Sequence, residues 1–429
     1  MNVKVRVIDI LNSVDEGKYS NIVLNAYFNS NSVEEKEKGF MTELFYGVIR
    51  NKIFIEYIIG KFTKKVKKKW MYNLLKISIY QGFYMNSDIK GVVWEAAEVT
   101  KNKYGIEMSK FINAVLRNIF RNIDNIREEL ENEERYDILY SYPEWIYKKL
   151  KKEYPENFLE VMESYKKVAK MSFRVNRLKY SEVEFEEYLE KNGINILKKV
   201  DSVYYVDSGK IINTDIFRSG KVIVQDGSSY YAAKLLGAKQ GEKILDCCSA
   251  PGSKAMVMAE NMNNIGEITA IDIYKHKIKL IKQNKKKCGA EIVLPRLHDA
   301  TKIKGEFDKI LVDAPCSSIG VIRKKPETLY NKEYKNIKEL AKLQEEILEN
   351  VSKSLKVGGE LIYSTCTIFN EENGDNIKKF LENNKEFKVE KIELDDNINY
   401  SYDEIGGIKI GYKEEFLDGF YIIKLVRGE

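Results

Sequence analysis

Apolar residues recur at helical spacing through roughly the first 135 positions, for example Phe40, Leu44 and Val48, then Phe111, Val115, Leu116 and Ile119, without the alternation of a strand. This predicts an all-helical bundle over residues 1–140, and a further helical stretch covers 142–170. The period then changes. Residues 171–178, 202–206 and 221–224 read as short strands and 181–192 as a helix, so 141–225 is predicted to be a helical linker and a small α+β module. From Gly241 onward short apolar runs alternate with amphipathic segments, the order that builds a parallel sheet covered on both faces. Strands are expected over 243–247, 267–271, 291–294, 309–312, 359–364 and 420–426, and helices over 253–260, 274–288, 336–354 and 372–383. Residues 226–429 are accordingly assigned to a doubly wound, Rossmann-like α/β domain.

The length of 429 residues accommodates two or three domains at about 150 residues each. No stretch approaches the roughly 18 consecutive apolar residues of a membrane span, and Lys4, Arg6 and Asp9 interrupt what a secretory leader would keep apolar. A soluble, cytoplasmic protein without a membrane partner is expected. Lysine and arginine total 71 against 65 acids, a net charge of +6 that permits an anionic partner without demanding one. Two basic runs stand out, Lys61, Lys64, Lys65, Lys67, Lys68 and Lys69, and Lys148, Lys149, Lys151 and Lys152. Each reads either as a solvated helix face or as a phosphate-binding patch. With only His276 and His298, a histidine-rich metal centre is hard to build, and a catalytic triad has little to draw on. Five cysteines without an export signal argue for reduced thiols, and no metal site is assigned.

Ligands of doubly wound sheets bind outside the carboxyl ends of the strands, so the polar residues there carry the weight. The first strand runs into Asp246-Cys247-Cys248-Ser249-Ala250-Pro251-Gly252-Ser253-Lys254, small residues and a Pro-Gly turn that let backbone approach a ligand. The second ends in Asp272, placed to take both hydroxyls of a ribose, and Asp299 after the third can accept from an adenine amino group. No Gly-x-Gly-x-x-Gly turn is present for a pyrophosphate, which favours a nucleoside without phosphates. Each carboxylate alone could be a helix cap or turn residue; three at successive strand ends are harder to dismiss. The fourth strand leads into Asp313-Ala314-Pro315-Cys316 and the fifth into Ser364-Thr365-Cys366-Thr367. If these strands are neighbours, Cys316 and Cys366 open into one cleft, whereas the Cys247-Cys248 pair reads as structural.

These blocks resemble the signatures of the S-adenosylmethionine-dependent RNA cytosine-C5 methyltransferases, the Fmu/Sun family. Further blocks agree in order: Val224-Gln225-Asp226-Gly227-Ser228-Ser229, Ile319-Gly320-Val321-Ile322-Arg323-Lys324-Lys325-Pro326 and Asp418-Gly419-Phe420-Tyr421. The helical region, in Glu43-Leu44-Phe45-Tyr46-Gly47-Val48-Ile49-Arg50 and Phe111-Ile112-Asn113-Ala114-Val115-Leu116-Arg117-Asn118, is similar to the NusB-type RNA-binding domain of one branch of that family. One departure is Ser253, where the family's turn has glycine.

The resemblance implies S-adenosylmethionine as cofactor, held by residues 248–254 together with Asp272, Asp299 and Asp313. It implies a cytidine of 16S ribosomal RNA as substrate, free or in a partly assembled small subunit; no obligate protein partner is evident in the sequence, so a monomer is expected. It casts Cys366 as the nucleophile that adds to carbon 6 and Cys316 as the residue that assists product release. Asp313 would hydrogen-bond the cytosine edge, protonated if it is to donate to N3. Lys254 then attends the cofactor pocket or Asp313. The lysine-rich helical domain and the Arg174 to Arg177 module are expected to grip the surrounding RNA. Competing readings are an RNA-binding protein without catalysis, a C5 enzyme acting on transfer RNA or 23S RNA, a DNA-cytosine enzyme with Cys316 as nucleophile, and an amino-nitrogen methyltransferase. The last usually carries Asn/Asp-Pro-Pro-Tyr/Phe where this chain has Asp313-Ala314-Pro315-Cys316.

Overall fold

A computed structural model describes residues 2–14, 20–64, 66 and 68–429. Two compact units emerge, Met1–Lys166 with Lys325–Asn331, and Lys167–Lys324 with Lys332–Glu429.

The first unit is helical throughout its regular described elements, as the 3.6-residue spacing of its apolar positions requires. Its core buries Leu44, Phe45 and Val48 of Glu35–Arg50, Leu74 and Ile77 of Lys69–Phe83, and Ile112, Leu116 and Ile119 of Ile106–Asn132. Gly47 is required there by packing: a Cβ would come 1.9 Å from Cζ of Tyr80, whose hydroxyl donates to Glu43 Oε1 at 2.5 Å. The segment Lys325–Asn331 is held by the same unit. Ser20 donates its hydroxyl to Glu327 Oε1 at 2.7 Å, and the Tyr330 hydroxyl donates to the Ser141 carbonyl at 3.2 Å. The basic runs are partly neutralised locally. Lys61 pairs with Glu129 at 2.9 Å, Lys148 with Glu144 at 2.6 Å and Lys149 with Glu153 at 2.5 Å, while Lys65 and Lys67 lie outside the described residues.

The second unit contains, among its described residues, two sheets. In the smaller, β1 (Met171–Val175), β2 (Ile196–Val200), β3 (Val203–Val206) and β4 (Val222–Val224) pair antiparallel in the order β2-β3-β1-β4. Helix Glu182–Lys191 covers it and opens on a capping box between Ser181 and Glu184. The expectation that Arg174 contacts RNA is overturned here. As an alternate residue of the central strand β1 it points away from solvent, where its Nη1 meets Glu260 Oε2 at 2.5 Å and its Nε donates to Gln225 Oε1 at 2.7 Å. Both charged side chains are fully buried. Removing one member of such a pair strands the other charge in a low-dielectric interior. Arg174→Met is therefore expected to destabilise the unit by about 3–5 kcal/mol, measured by urea unfolding, while the folded variant retains the salt dependence of RNA binding. Arg177 remains half-exposed and donates to Asn261 Oδ1 at 2.6 Å.

The larger sheet has nine strands: β5 (Lys243–Cys247), β6 (Glu267–Asp272), β7 (Val293–Leu297), β8 (Phe307–Asp313), β9 (Leu355–Thr365), β10 (Phe387–Glu390), β11 (Tyr400–Tyr402), β12 (Ile408–Ile410) and β13 (Phe420–Arg427). Their order is β11-β12-β13-β9-β8-β5-β6-β7, with β10 on β13. The strands β7, β6, β5, β8 and β9 run parallel, and β13 is antiparallel to β9. The chain reverses direction across the sheet at β5, so the carboxyl ends of β5 and β8 flank the switch point. Buried aliphatic side chains on both faces, such as Ile244 and Leu311 on one and Leu245 and Ile310 on the other, fix the parallel register.

Candidate active site

Three loops meet at the carboxyl ends of β5, β8 and β9. After β5 the chain turns sharply: Cys248 has φ 56°, Gly252 has φ 97°, and the Gly252 N–H donates to the Ser249 carbonyl at 2.7 Å. Only the glycine tolerates that left-handed conformation without cost. Ser253, the departure from the family pattern, begins helix Ser253–Asn261 with ordinary backbone geometry, so no glycine is needed there. The turn contains Ala250 and Pro251, and Asn284 donates to the Pro251 carbonyl at 2.9 Å. It places Ser249 Oγ against Asp246 Oδ2 at 2.5 Å.

Two buried acceptors in this loop cluster lack a hydrogen-bond donor, Asp246 Oδ1 and Asp272 Oδ2. Lys277 Nζ stands 3.5 Å from the latter. Burial, reinforced by the neighbouring carboxylates of Asp313 and Asp272, pushes Asp246 up to about 7. A ligand bearing positive charge and hydroxyl donors satisfies these demands, and S-adenosylmethionine has both. Asp299 is more committed. Its Oδ1 accepts from the N–H and hydroxyl of Thr301 at 2.9 and 2.8 Å, capping the short helix Ala300–Lys302.

Opposite this pocket, Lys254 Nζ meets Asp313 Oδ2 at 2.6 Å, and Ser364 Oγ donates to Asp313 Oδ1 at 3.2 Å. Because β8 and β9 are adjacent, the residues that follow them converge: Cys316 Sγ and Cys366 Sγ lie 3.3 Å apart. Ser318, at φ 61°, brings its hydroxyl 3.3 Å from the Cys366 sulfur. The two loops are clamped from behind by Glu372, fully buried, whose oxygens accept from the Ser317 N–H at 2.8 Å and hydroxyl at 2.5 Å. Ser317 Oγ also lies 2.8 Å from Thr367 Oγ1. Gly320 closes the third side. Its N–H donates to the Cys366 carbonyl, its own carbonyl accepts from the Gly419 N–H, and a Cβ would come 2.0 Å from the Gly419 oxygen. Nearby, Lys324 bridges Asp226 and Asp418 at 2.6 and 2.8 Å, joining three sequence blocks that lie far apart in the chain.

The five cysteines differ sharply in acidity. Burial holds Cys247 and Cys288 above the ordinary thiol range, and burial with the Asp313 and Asp272 carboxylates pushes Cys248 up to about 12. Cys366 alone is lowered, because its hydrogen bonds with the Cys316 thiol and the Ser318 hydroxyl, together with the Lys254 charge, outweigh its burial and the Asp313 carboxylate. Cys316 is raised as the donor in that pair, with the Glu372 carboxylate adding to the effect. Alkylation of Cys366 by iodoacetamide should therefore reach half its maximal rate below the ordinary thiol range. In Cys316→Ala the lost donor should move that midpoint to higher pH, read by mass spectrometry of the Cys366 peptide over about pH 6 to 10. A midpoint that does not move would disconnect the two sulfurs.

Residues 233–426 match the profile of 16S rRNA methyltransferases RsmB/F, residues 1–121 the NusB family, and residues 142–204 a ferredoxin-like domain of RsmF/B-like methyltransferases. Over 385 residues the chain is 34% identical to the probable ribosomal RNA small subunit methyltransferase B of Bacillus subtilis, covering 86% of each. The chain belongs to the RsmB/F methyltransferase family. The ribosomal RNA small subunit methyltransferase B of Shewanella oneidensis is 32% identical over 91% of each chain. Among solved structures, that of PH0851 covers 100% of this chain and 99% of its own with a TM-score of 0.84 and 27% identity. A methyltransferase homolog from Pyrococcus horikoshii covers 67% of this chain at a TM-score of 0.60 and 27% identity. The RsmB/F chain is thus an S-adenosylmethionine-dependent rRNA methyltransferase with a NusB-like N-terminal domain and a Rossmann-like C-terminal domain. No helix among its described residues is long and apolar enough to cross a membrane.

The sequence-predicted residues Cys248, Ser249, Lys254, Asp272, Asp313, Cys316 and Cys366 fall at this one end of the sheet, and the structure adds Asp246 to them. Sequence reasoning missed Ser318, Ser317, Thr367 and Glu372, which hold the sulfurs in place. The only signal was proximity: two serines directly after Cys316, and an acid six residues beyond Cys366.

Proposed function

We propose that this RsmB/F enzyme methylates carbon 5 of a cytidine in 16S rRNA through a covalent bond between Cys366 and carbon 6 of the base. The observation that carries this reading is the 3.3 Å sulfur pair, in which Cys366 is the one cysteine of five whose acidity is enhanced. Carbon 5 of cytosine is a poor nucleophile, and thiolate addition at carbon 6 makes it electron-rich, dividing one hard step into two. Cys366 is partly rather than fully buried, which leaves its sulfur open to a base. Asp313, paired with Lys254, would accept from the cytosine 4-amino group and hold the ring in register.

Residues 248–254 with Asp246, Asp272 and Asp299 would hold S-adenosylmethionine, which supplies an electrophilic sulfonium methyl. After methylation water takes the carbon-5 proton, the electron pair it leaves re-forms the 5,6 double bond, the carbon–sulfur bond breaks, and Cys366 departs as thiolate. Cys316, held protonated 3.3 Å away, stabilises that leaving sulfur by hydrogen bonding. Carbons 5 and 6 are hidden in a stacked helix, so the target must be unpaired or flipped out.

The division at 1–140, 141–225 and 226–429 is proposed to separate RNA gripping by the helical domain and the small module from chemistry in the last part. A cytoplasmic monomer acting on free 16S rRNA or a partly assembled subunit completes the reading. Incubation with 16S rRNA and methyl-labelled S-adenosylmethionine should place 5-methylcytosine at a single cytidine. Label in DNA, in transfer RNA or on an amino nitrogen instead would reject it.

A further inference from the structure

Helix Lys275–Cys288, which follows β6, carries seven lysines and no acidic residue. The whole chain has a net charge of +6, so subtracting the +7 of this helix leaves −1 for everything else. Two of the seven are engaged within the fold: Lys277 lies 3.5 Å from Asp272, and Lys287 packs 3.7 Å from the centre of the Phe217 ring. Lys275, Lys279, Lys282 and Lys286 are exposed, and among the described residues none of them has a carboxylate within ion-pair distance. Their spacing of four, three and four residues places them on one helical stripe. At 1.5 Å per residue it runs about 16 Å.

Several other lysine-bearing helices intersperse acids, as in the pairs Lys148 with Glu144, Lys110 with Glu107 and Lys342 with Glu346, and the acid-free helix Lys69–Phe83 carries only two lysines. Mixing signs in that way stabilises a helix, whereas like charges at these spacings repel, and Lys275 in the first turn also opposes the helix dipole. A face kept merely for solubility has no need of that penalty. The stripe is rigidly mounted: Ile278 and Ile281 are buried beneath it, and the Cys288 carbonyl at its end accepts from Asn176 at 2.9 Å. Its other end begins three residues after Asp272, at the cofactor end of the sheet.

We infer that this stripe binds the sugar-phosphate backbone of the RNA substrate, laying a polyanionic strand along the helix beside the cofactor end of the sheet. The inference rests on the rRNA reading and gives it a binding surface on the methyltransferase domain itself. Ammonium groups in a row displace condensed counterions without reading sequence, so the contact supplies affinity and register rather than base choice.

The test uses the full chain with Lys275→Gln, Lys279→Gln, Lys282→Gln and Lys286→Gln combined. A control carries Lys335→Gln, Lys338→Gln and Lys342→Gln on the acid-interleaved helix Tyr334–Ser352 and Lys353→Gln at its C-cap, the same change in charge. Affinity for a 16S rRNA transcript is measured across a potassium chloride series. The stripe variant should bind roughly tenfold or more weakly at low salt, with a log–log salt slope shallower by about 3. Its KM for RNA should rise while kcat and S-adenosylmethionine affinity stay at the parental values. An unchanged affinity and slope in the stripe variant, or an equal loss in the control, overturns the inference although the parent methylates RNA normally. A stripe variant that loses an acidic protein partner but no RNA affinity overturns it too. A parent that neither binds nor methylates 16S rRNA overturns the substrate reading as well.

Discussion

Cys366→Ala is expected to abolish RNA methylation, by on the order of 10⁴-fold or more, with S-adenosylmethionine binding by calorimetry unchanged. The size follows from the absence of a substitute. Cys316 is the nearest sulfur, at 3.3 Å, yet it is the donor of the pair and is held as a neutral thiol by Cys366 and Glu372. Cys248 lies on the cofactor side with its acidity suppressed to about 12, and Cys247 and Cys288 are buried. Without a thiolate, carbon 5 must attack unaided. A serine at this position should rescue little, since a hydroxyl ionises far less readily than a thiol. Retained methylation in Cys366→Ala would transfer the nucleophile's role to Cys316, the arrangement that enzymes acting on DNA cytosine would suggest.

Asp313→Ala should lower kcat by about 10²- to 10³-fold, with a smaller effect on the KM for RNA. Its carboxylate is the junction between the two halves of the site, 2.6 Å from Lys254 and 3.2 Å from Ser364. Deleting it removes the group placed to hold the base edge and leaves the largely buried Lys254 ammonium without its anion. If Lys254 acts only through Asp313, then Lys254→Met should cost less than Asp313→Ala, and the double variant should be no worse than Asp313→Ala alone. Additive losses would instead give Lys254 an independent contact with cofactor or substrate. Single-turnover rates of the four proteins decide between these outcomes.

Much of this site was legible in the sequence because its residues sit at the ends of buried strands, and buried parallel strands announce themselves as apolar runs. The strands expected over 243–247, 267–271 and 309–312 fall within β5 (Lys243–Cys247), β6 (Glu267–Asp272) and β8 (Phe307–Asp313), so the turn at 248–254, Asp272 and Asp313 could be placed at one edge from the sequence. Adjacency of Cys316 and Cys366 needed the further condition that β8 and β9 be neighbours, which they are. The third strand was displaced, expected over 291–294 and found at Val293–Leu297, because Pro295 breaks the apolar run. A proline is tolerated there since β7 is an edge strand.

Short edge elements escaped for a related reason. β2 has mostly exposed or half-exposed positions with two lysines, and β10, β11 and β12 are three or four residues long, too short for a period. Arg174 misled because a charged residue on a strand reads as surface until its buried partner, Glu260 in a helix 86 residues away, is seen. Ser318 and Glu372 could not be read at all. Their roles arise from a left-handed loop residue and a buried carboxylate, which depend on tertiary packing rather than on spacing.

The covalent bond itself is the most direct test of the account. Cys316→Ala, incubated with 16S rRNA and S-adenosylmethionine, should accumulate an RNA–protein adduct that survives denaturation, because the sulfur that assists release is gone. Digestion and mass spectrometry should place the attached 5-methylcytosine nucleotide on Cys366, and Cys316→Ala combined with Cys366→Ala should give none. An adduct on any other residue, or methylated RNA released by Cys316→Ala at the parental rate without an adduct, would contradict it.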